Sequence, residues 1–361
     1  MTTKTKSTIA FLVLAICAAS VQADEAQSTF KFSGFGTLGA VHSSLDTADF
    51  TAGIRPNGAG ATRNLSWNVD SRLGAQLDAR IGNKLSAVVQ LIAEQRWDNS
   101  MVPTVEWANV QYEVTPEFRV RVGRIALPTY LLSDSRKVGF ANMAVRPPEA
   151  IYKILPITNS DGVDMSYRLS SGELLNTTTV YVGQNTIKLA TGALKGVKAK
   201  ATEVHGIVNN TEYGAATFHV AYHEQKLTIK PTLNKSPLKV FTMGVQYDPG
   251  TWLAIAEVVQ DKLSGKDNRR AGYAMVGYHI GEFTPYAGYT RVLQLNPMRS
   301  NQEQTVGTLG VRWNLVKNAD LKLQYEHIRL GQGADGGLVT TREFQPGSNF
   351  RLLSAVVDFV Y

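Results

Sequence analysis

Sixteen segments in which apolar and polar residues alternate with period two restrict the fold of this chain more than any other feature of its sequence. Residues 72–81 show the pattern: Leu73, Ala75, Leu77, Ala79 and Ile81 fall on one face, and Arg72, Gln76, Asp78 and Arg80 on the other. That is the signature of a strand with one apolar and one polar side. The segments span about 30–41, 71–82, 85–97, 104–115, 118–127, 162–170, 174–187, 200–209, 214–227, 238–248, 251–262, 270–280, 283–295, 303–316, 321–331 and 350–361. Each is near the roughly 9–11 residues with which a tilted strand crosses a bilayer. Past Ala23 no apolar run approaches the roughly 18 residues of a spanning helix. In hydrocarbon only helices and closed barrels satisfy every backbone group, so a membrane form of this chain has to be a closed barrel.

The connections point the same way. Every second one is a tight turn, as at 82–84, 116–117, 171–173, 210–213, 249–250, 281–282 and 317–320, where Gly, Pro and Asn supply the backbone angles. The intervening ones are longer: 42–70, 98–103, 128–161, 188–199, 228–237, 263–269, 296–302 and 332–349. Short periplasmic turns and long external loops of an antiparallel barrel have this segregation, which a soluble sandwich has no reason to adopt. The last segment ends on an aromatic, with Leu353, Ala355, Val357, Phe359 and Tyr361 on one face. A lipid-facing ridge closed by an interfacial ring accounts for it.

The start of the chain reads as an export leader: Lys4 and Lys6, an apolar core of about ten residues, and small residues at Val21 and Ala23, with cleavage expected after Ala23. Cys17 follows Ile16, not the small residue that a lipid-attachment site requires, so it reads as part of the apolar core. Cleavage removes the single cysteine, and with it any disulfide framework or thiol chemistry. The formal charge of +7 falls to +5 with the loss of Lys4 and Lys6. With no Lys/Arg block, nucleic acid is not an expected partner. The expectation is one barrel domain over 24–361.

Catalytic signatures fail on context. Gly34, Gly36 and Gly39 have dinucleotide-fold spacing, but no helix period follows them and no βαβ unit surrounds them. They read as glycines of a first barrel strand, permitting bending, close approach of a neighbour, or smooth packing between subunits. His219 and His223 lie four apart on a strand, roughly 13 Å, too far for one metal ion. Neither an H-e-x-x-H helix nor a G-x-S-x-G elbow occurs. No enzyme activity, metal or cofactor is expected. A barrel adhesin or receptor, and less so a barrel hydrolase, are the alternatives to a channel.

Together the leader, the first strand FKFSGFGTLGAV, the sixteen segments and the final LLSAVVDFVY resemble the Gram-negative general porins along the whole mature chain. The resemblance implies an all-β, sixteen-stranded transmembrane barrel in the outer membrane, a water-filled channel for small hydrophilic solutes and ions, and a homotrimer. It also implies that loop 128–161 folds into the lumen. Here the loop departs from the family's acidic loop and basic wall: Arg136, Lys137, Arg146 and Lys153 face only Asp134 and Glu149. Among wall residues, alternation turns Arg72, Arg80, Arg96, Arg119, Arg121, Arg168 and Arg312 inward, with Asp78, Glu94, Asp164, Glu326 and Asp358. The functional residues of a pore are the inward charges at its narrowest ring. The candidate set is therefore Arg72, Arg80, Arg119, Arg121, Arg168, Arg312, Asp134, Arg136, Lys137, Arg146 and Glu149, and its basic balance predicts an anion preference. Alternation points Arg124 at lipid, while a bulge at Gly123 is the alternative that would re-aim it inward.

Overall fold

Sixteen antiparallel strands close into one barrel in the computed structural model, which describes residues 29–190, 194–264, 267–295 and 301–361. The expected leader, 1–23, lies outside the described residues. The wall strands are β1 (Thr29–Ser43), β2 (Arg72–Ile81), β3 (Leu85–Glu94), β4 (Thr104–Glu113), β5 (Phe118–Ala126), β6 (Asn159–Ser171), β7 (Leu174–Lys188), β8 (Lys198–Tyr213), β9 (Ala216–Ile229), β10 (Leu233–Tyr247), β11 (Trp252–Leu263), β12 (Asp267–Tyr278), β13 (Phe283–Gln294), β14 (Gln304–Val316), β15 (Ala319–Leu330) and β16 (Asn349–Val360). Each pairs with its neighbours in sequence, and β1 pairs with both β2 and β16. No edge is left open, so every wall strand has partners on both sides.

All sixteen strands are present, with shifts at three connections. The turn expected at 210–213 is strand and the chain turns at 214–215, and the expected loop 263–269 shortens because its flanking strands reach Leu263 and Asp267. The stretch 228–237, which reads as a loop, is mostly strand, because β9 runs to Ile229 and β10 begins at Leu233. Strands β7 to β10 have 14 to 16 residues, against 9 or 10 in β2 to β5. Hairpins on that side therefore run past the length that a bilayer requires, and alternation alone sets no upper limit there.

Large apolar side chains cover the outer wall, among them Leu73, Val122, Met165, Val182, Met243, Val258, Leu309 and Leu353, all exposed. An apolar surface of this extent belongs in lipid. Beside the short turns stands a belt of outward rings that includes Tyr167, Tyr213, Tyr247, Trp252, Phe283 and Trp313. Amphipathic rings favour that interfacial depth.

The closing seam depends on glycine. Gly36 lies opposite Phe359, and a Cβ at Gly34 or Gly36 would enter the Tyr361 or Phe359 ring. The same device recurs on the inner face, where Phe35 covers Gly74, Tyr181 covers Gly206 and Tyr286 covers Gly310. The glycines at 34 and 36 thus serve as seats for rings of the last strand, which pins the register of β1 against β16. Replacing Gly36 by Leu overpacks the seam, with an expected cost of about 1–3 kcal/mol. The check is the temperature at which the folded band is lost on unheated-versus-heated gels. It should fall in Gly36→Leu and recover in Gly36→Leu/Phe359→Ala.

Candidate functional site

Residues 127–158, between β5 and β6, fold into the barrel and fasten to the inner wall almost all the way round. Local sequence prepares the path. Pro147 and Pro148 lead into a single helical turn, α1 (Glu149–Tyr152), with Pro148 at its N-terminal boundary, and this turn buries Ile151 and Tyr152. Leu127, Tyr130, Met143, Ala144, Ile151, Tyr152, Ile154 and Leu155 then form one core with inward residues of β7 to β13, among them Val208, Val240, Ile255, Val259 and Tyr273. An apolar stretch of inner wall is unusual in a water-filled barrel, and here the loop covers it.

Polar anchors fix the remaining freedom. The Thr129 carbonyl accepts from the Thr242 hydroxyl at 2.6 Å and lies 3.3 Å from His219 Nε2. Glu257 accepts from the Leu131 N–H at 2.7 Å and the Tyr152 hydroxyl at 3.0 Å. The Val145 N–H donates to Gln324 at 3.1 Å. On α1, enclosure pushes the Glu149 carboxyl up from its usual range and the Lys153 ammonium down; each is opposed by the other's charge. Glu149 accepts from the Gly53 N–H, and Lys153 donates to the Gly337 carbonyl at 2.7 Å, so the first and last external loops are tied to this turn.

The inward charges separate into two groups. Arg146 is buried and bonded to Asp70 at 2.5 Å, Glu326 at 3.1 Å and Ser354 at 2.5 Å. Arg312 pairs with Asp320 at 3.0 Å and lies over the Phe140 ring. Beside it, fully buried Lys322 donates to Asp358 and to the Gly139 carbonyl, both at 2.7 Å. These charges hold the loop to β14–β16 and the start of β2. The second group faces water. Arg80, Arg121 and Asp134 line a cavity of about 590 Å³ at the short-turn end. Arg55, Arg72, Arg96, Arg136 and Lys137 line another of about 670 Å³ at the loop end, which Glu149 also borders. Arg121 is bonded to Asp164 at 2.9 Å. Arg119 shares its inward face, and Arg168 lies diagonally across from Arg119 on β6, because Arg119 is opposite Ser166. Among the described residues Arg72, Arg80, Arg119, Arg136 and Arg168 make no ion pair.

Between the two cavities the loop reaches the opposite wall. Lys137 donates to Glu94 of β3 and Glu106 of β4, both at 2.9 Å, and Arg55 joins Glu94 at 2.8 Å. The open path is therefore displaced to the β1–β6 side, since loop core fills the β7–β13 side.

A family model described as Gram-negative porin matches residues 10–352. The chain belongs to the Gram-negative porins. It is an outer-membrane protein that forms a channel for small solutes. Among solved structures, the porin is similar in fold to the outer membrane channel DcaP of Acinetobacter baumannii, with a TM-score of 0.62 and 13% identity over 92% of this chain and 97% of that one. It is similar to an anion-selective porin from Comamonas acidovorans, with a TM-score of 0.60 and 16% identity over 93% and 100%. It is also similar to the trimer form of OmpT, an outer membrane protein of Vibrio cholerae, with a TM-score of 0.58 and 14% identity over 92% and 99%. No curated protein matches the porin in sequence.

Sequence reasoning missed four participants. Glu106 is turned inward by a register shift at 105–107 against β3, whereas the alternation of Ala108, Val110 and Tyr112 points it outward, and nothing local marks its partnership with Lys137. Arg55 comes from the first external loop and Glu257 from the far wall, and nothing local marks either. Lys322 is one inward residue among many until its burial is seen. Arg124 keeps the outward parity of Val122, because the register passes through Gly123 without a bulge, and it pairs with Asp161 at 2.7 Å. Gly123 itself has φ of +129°, and a Cβ there would run into the Ala108 carbonyl, so the position favours glycine. His219 and His223 are buried and hydrogen-bonded to Asn210 and Tyr181, each at 2.8 Å.

Because the loop is held by apolar packing, Ile151→Ala should weaken its docking by about 2–5 kcal/mol. Single-channel records are expected to show added open-state noise and brief closures, which Ile151→Val largely avoids.

Proposed function

We propose that this porin passes small hydrophilic solutes and ions by passive diffusion with a moderate anion preference. In this reading the path is lined by Arg72, Arg80, Arg119, Arg121, Arg168, Arg136, Lys137 and Asp134, and loop 128–161 narrows it. One observation carries the reading: among the described residues five arginines on the open side make no ion pair, although Glu113 stands across from Arg119, whereas Glu94, Glu106 and Asp164 on that side are each bonded to a cation. Guanidinium stays charged at every relevant pH, so the surplus persists. Asp78 and Asp134 line the same lower cavity, which keeps the preference moderate. Arg146, Arg312 and Glu149 act in this scheme by holding the loop in place. The likeness to an anion-selective porin supports the same sign.

We also propose that the chain works as a homotrimer, supported by the trimer form of one structural neighbour, and that residues 1–23 are removed on export. Arg124 and Asp161 stand together on the outer wall at the loop end of β5 and β6. A charge pair is expensive in hydrocarbon, so that site belongs at headgroup depth or under a neighbouring subunit.

Reversal potentials across planar bilayers under a salt gradient test the preference. The expected sign is anionic, it should decline as total salt rises, and Arg119→Gln/Arg168→Gln should move it toward zero. Cation selectivity of the unaltered channel overturns the reading. Liposome swelling in small sugars separates a diffusion channel from an adhesin or receptor barrel, which would not admit them.

A further inference from the structure

Among the described residues of this barrel, a loop or wall cation is set between two carboxylates three times. Arg146 sits between Asp70 and Glu326, Lys322 between Asp320 and Asp358, and Lys137 between Glu94 and Glu106. Burial distinguishes them. Lys322 and both its partners are 0% exposed, and the Arg146 side chain is 4% exposed. Lys137 is 18% exposed, Glu94 12% and Glu106 6%, and all three residues border the 670 Å³ cavity. The Lys322 cluster is closed to anything in the lumen, and Arg146, although it borders the same cavity as Lys137, is held by Asp70, Glu326 and Ser354 together. The third has the most exposed cation of the three, lies where the loop meets the opposite wall, and has Arg55 and Arg72 beside it and Arg136 next in the chain.

We propose that Lys137 is an exchangeable gate that reads solute charge, and that an oxyanion passes by replacing Glu94 or Glu106 on the Lys137 ammonium. The inference rests on the anion-preferring channel above. Glu94 and Glu106 occupy the cationic group in the way a solute carboxylate or phosphate would. A small anion in the loop-end cavity is among Arg96, Arg136 and Lys137, and competes for the Lys137 ammonium with acceptor oxygens of the same chemistry. Ion pairs open to water are weak and exchange readily, unlike enclosed ones. A neutral solute has no group to offer and crosses only when the Lys137 contacts open. A cation is opposed by Arg55, Arg72, Arg136 and Lys137 around two carboxylates, an excess of positive charge. The ligand class is small oxyanions that carry carboxylate or phosphate.

Two variants separate a gate from one more surface charge. Lys137→Gln and Glu94→Gln/Glu106→Gln both break the bridge, so both should raise single-channel conductance, by about 1.5-fold or more for a group lifted from a constriction. Their selectivity should move in opposite directions: toward cations in Lys137→Gln, where two carboxylates are freed, and toward anions in the double variant, where the lysine is freed. Lys137→Arg, which keeps the charge and the bonds, should stay near the parent. Conductance measured in succinate and in inorganic phosphate should saturate with concentration in the parent and rise linearly in Lys137→Gln. Saturation in one salt alone names the preferred class. Unchanged conductance in both bridge-breaking variants overturns the gate, as does linear conductance in both salts for the parent. If Lys137→Gln does not assemble, the glutamate pair decides by the same conductance test. Cation selectivity of the parent channel would defeat the anion reading and leave the conductance test of the bridge standing.

Discussion

Backbone hydrogen bonding without an edge is the constraint on which this structure depends. Lipid supplies no donors or acceptors, so the first strand has to find the last. In this chain β1 meets β16 over nine consecutive register pairs, from Phe35 with Val360 to Ser43 with Leu352. Register along a strand is weakly specified where side chains are small. Here the rings of Phe359 and Tyr361 are matched to Gly36 and Gly34, and a slip by one residue would turn those rings toward the lumen. The closure that satisfies the backbone and the glycine seats that fix its register are one device.

Closure of sixteen strands leaves a lumen much wider than a selective path needs, and the loop between β5 and β6 takes up the excess. It does so asymmetrically. Its apolar residues meet an apolar stretch of inner wall from β7 to β13, and burial there removes water from one side of the lumen. What stays wet is the polar side of β1 to β6, where β2 to β5 are short and the inward residues include arginine, glutamine and aspartate. The position of the path follows from hydrophobic packing on the side where nothing passes.

The same partition gives like residues different tasks. An arginine enclosed with two carboxylates holds a loop, because separating it would leave a buried charge unpaired. An arginine facing water without a partner shapes the field that an ion meets. Arg146 and Arg119 are indistinguishable by residue type, and only enclosure assigns them.

Much of this was legible in the sequence. Period-two alternation, segment length and the regular exchange of short and long connections determined an antiparallel barrel, because a half-buried strand has no other periodicity and a membrane tolerates no open edge. The inward parity of Arg119, Arg121 and Arg168 could be read for the same reason, whereas the aim of Arg124 stayed open until the register across Gly123 was seen to continue unbroken. The partners of the loop could not. Arg146 meets Asp70 and Glu326, and Lys137 meets Glu94 and Glu106, across separations of 31 to 180 residues. No local pattern encodes contacts at that range. They depend on where an apolar loop comes to rest inside a closed wall, and only the tertiary structure decides which charges are sealed there and which are left facing the water.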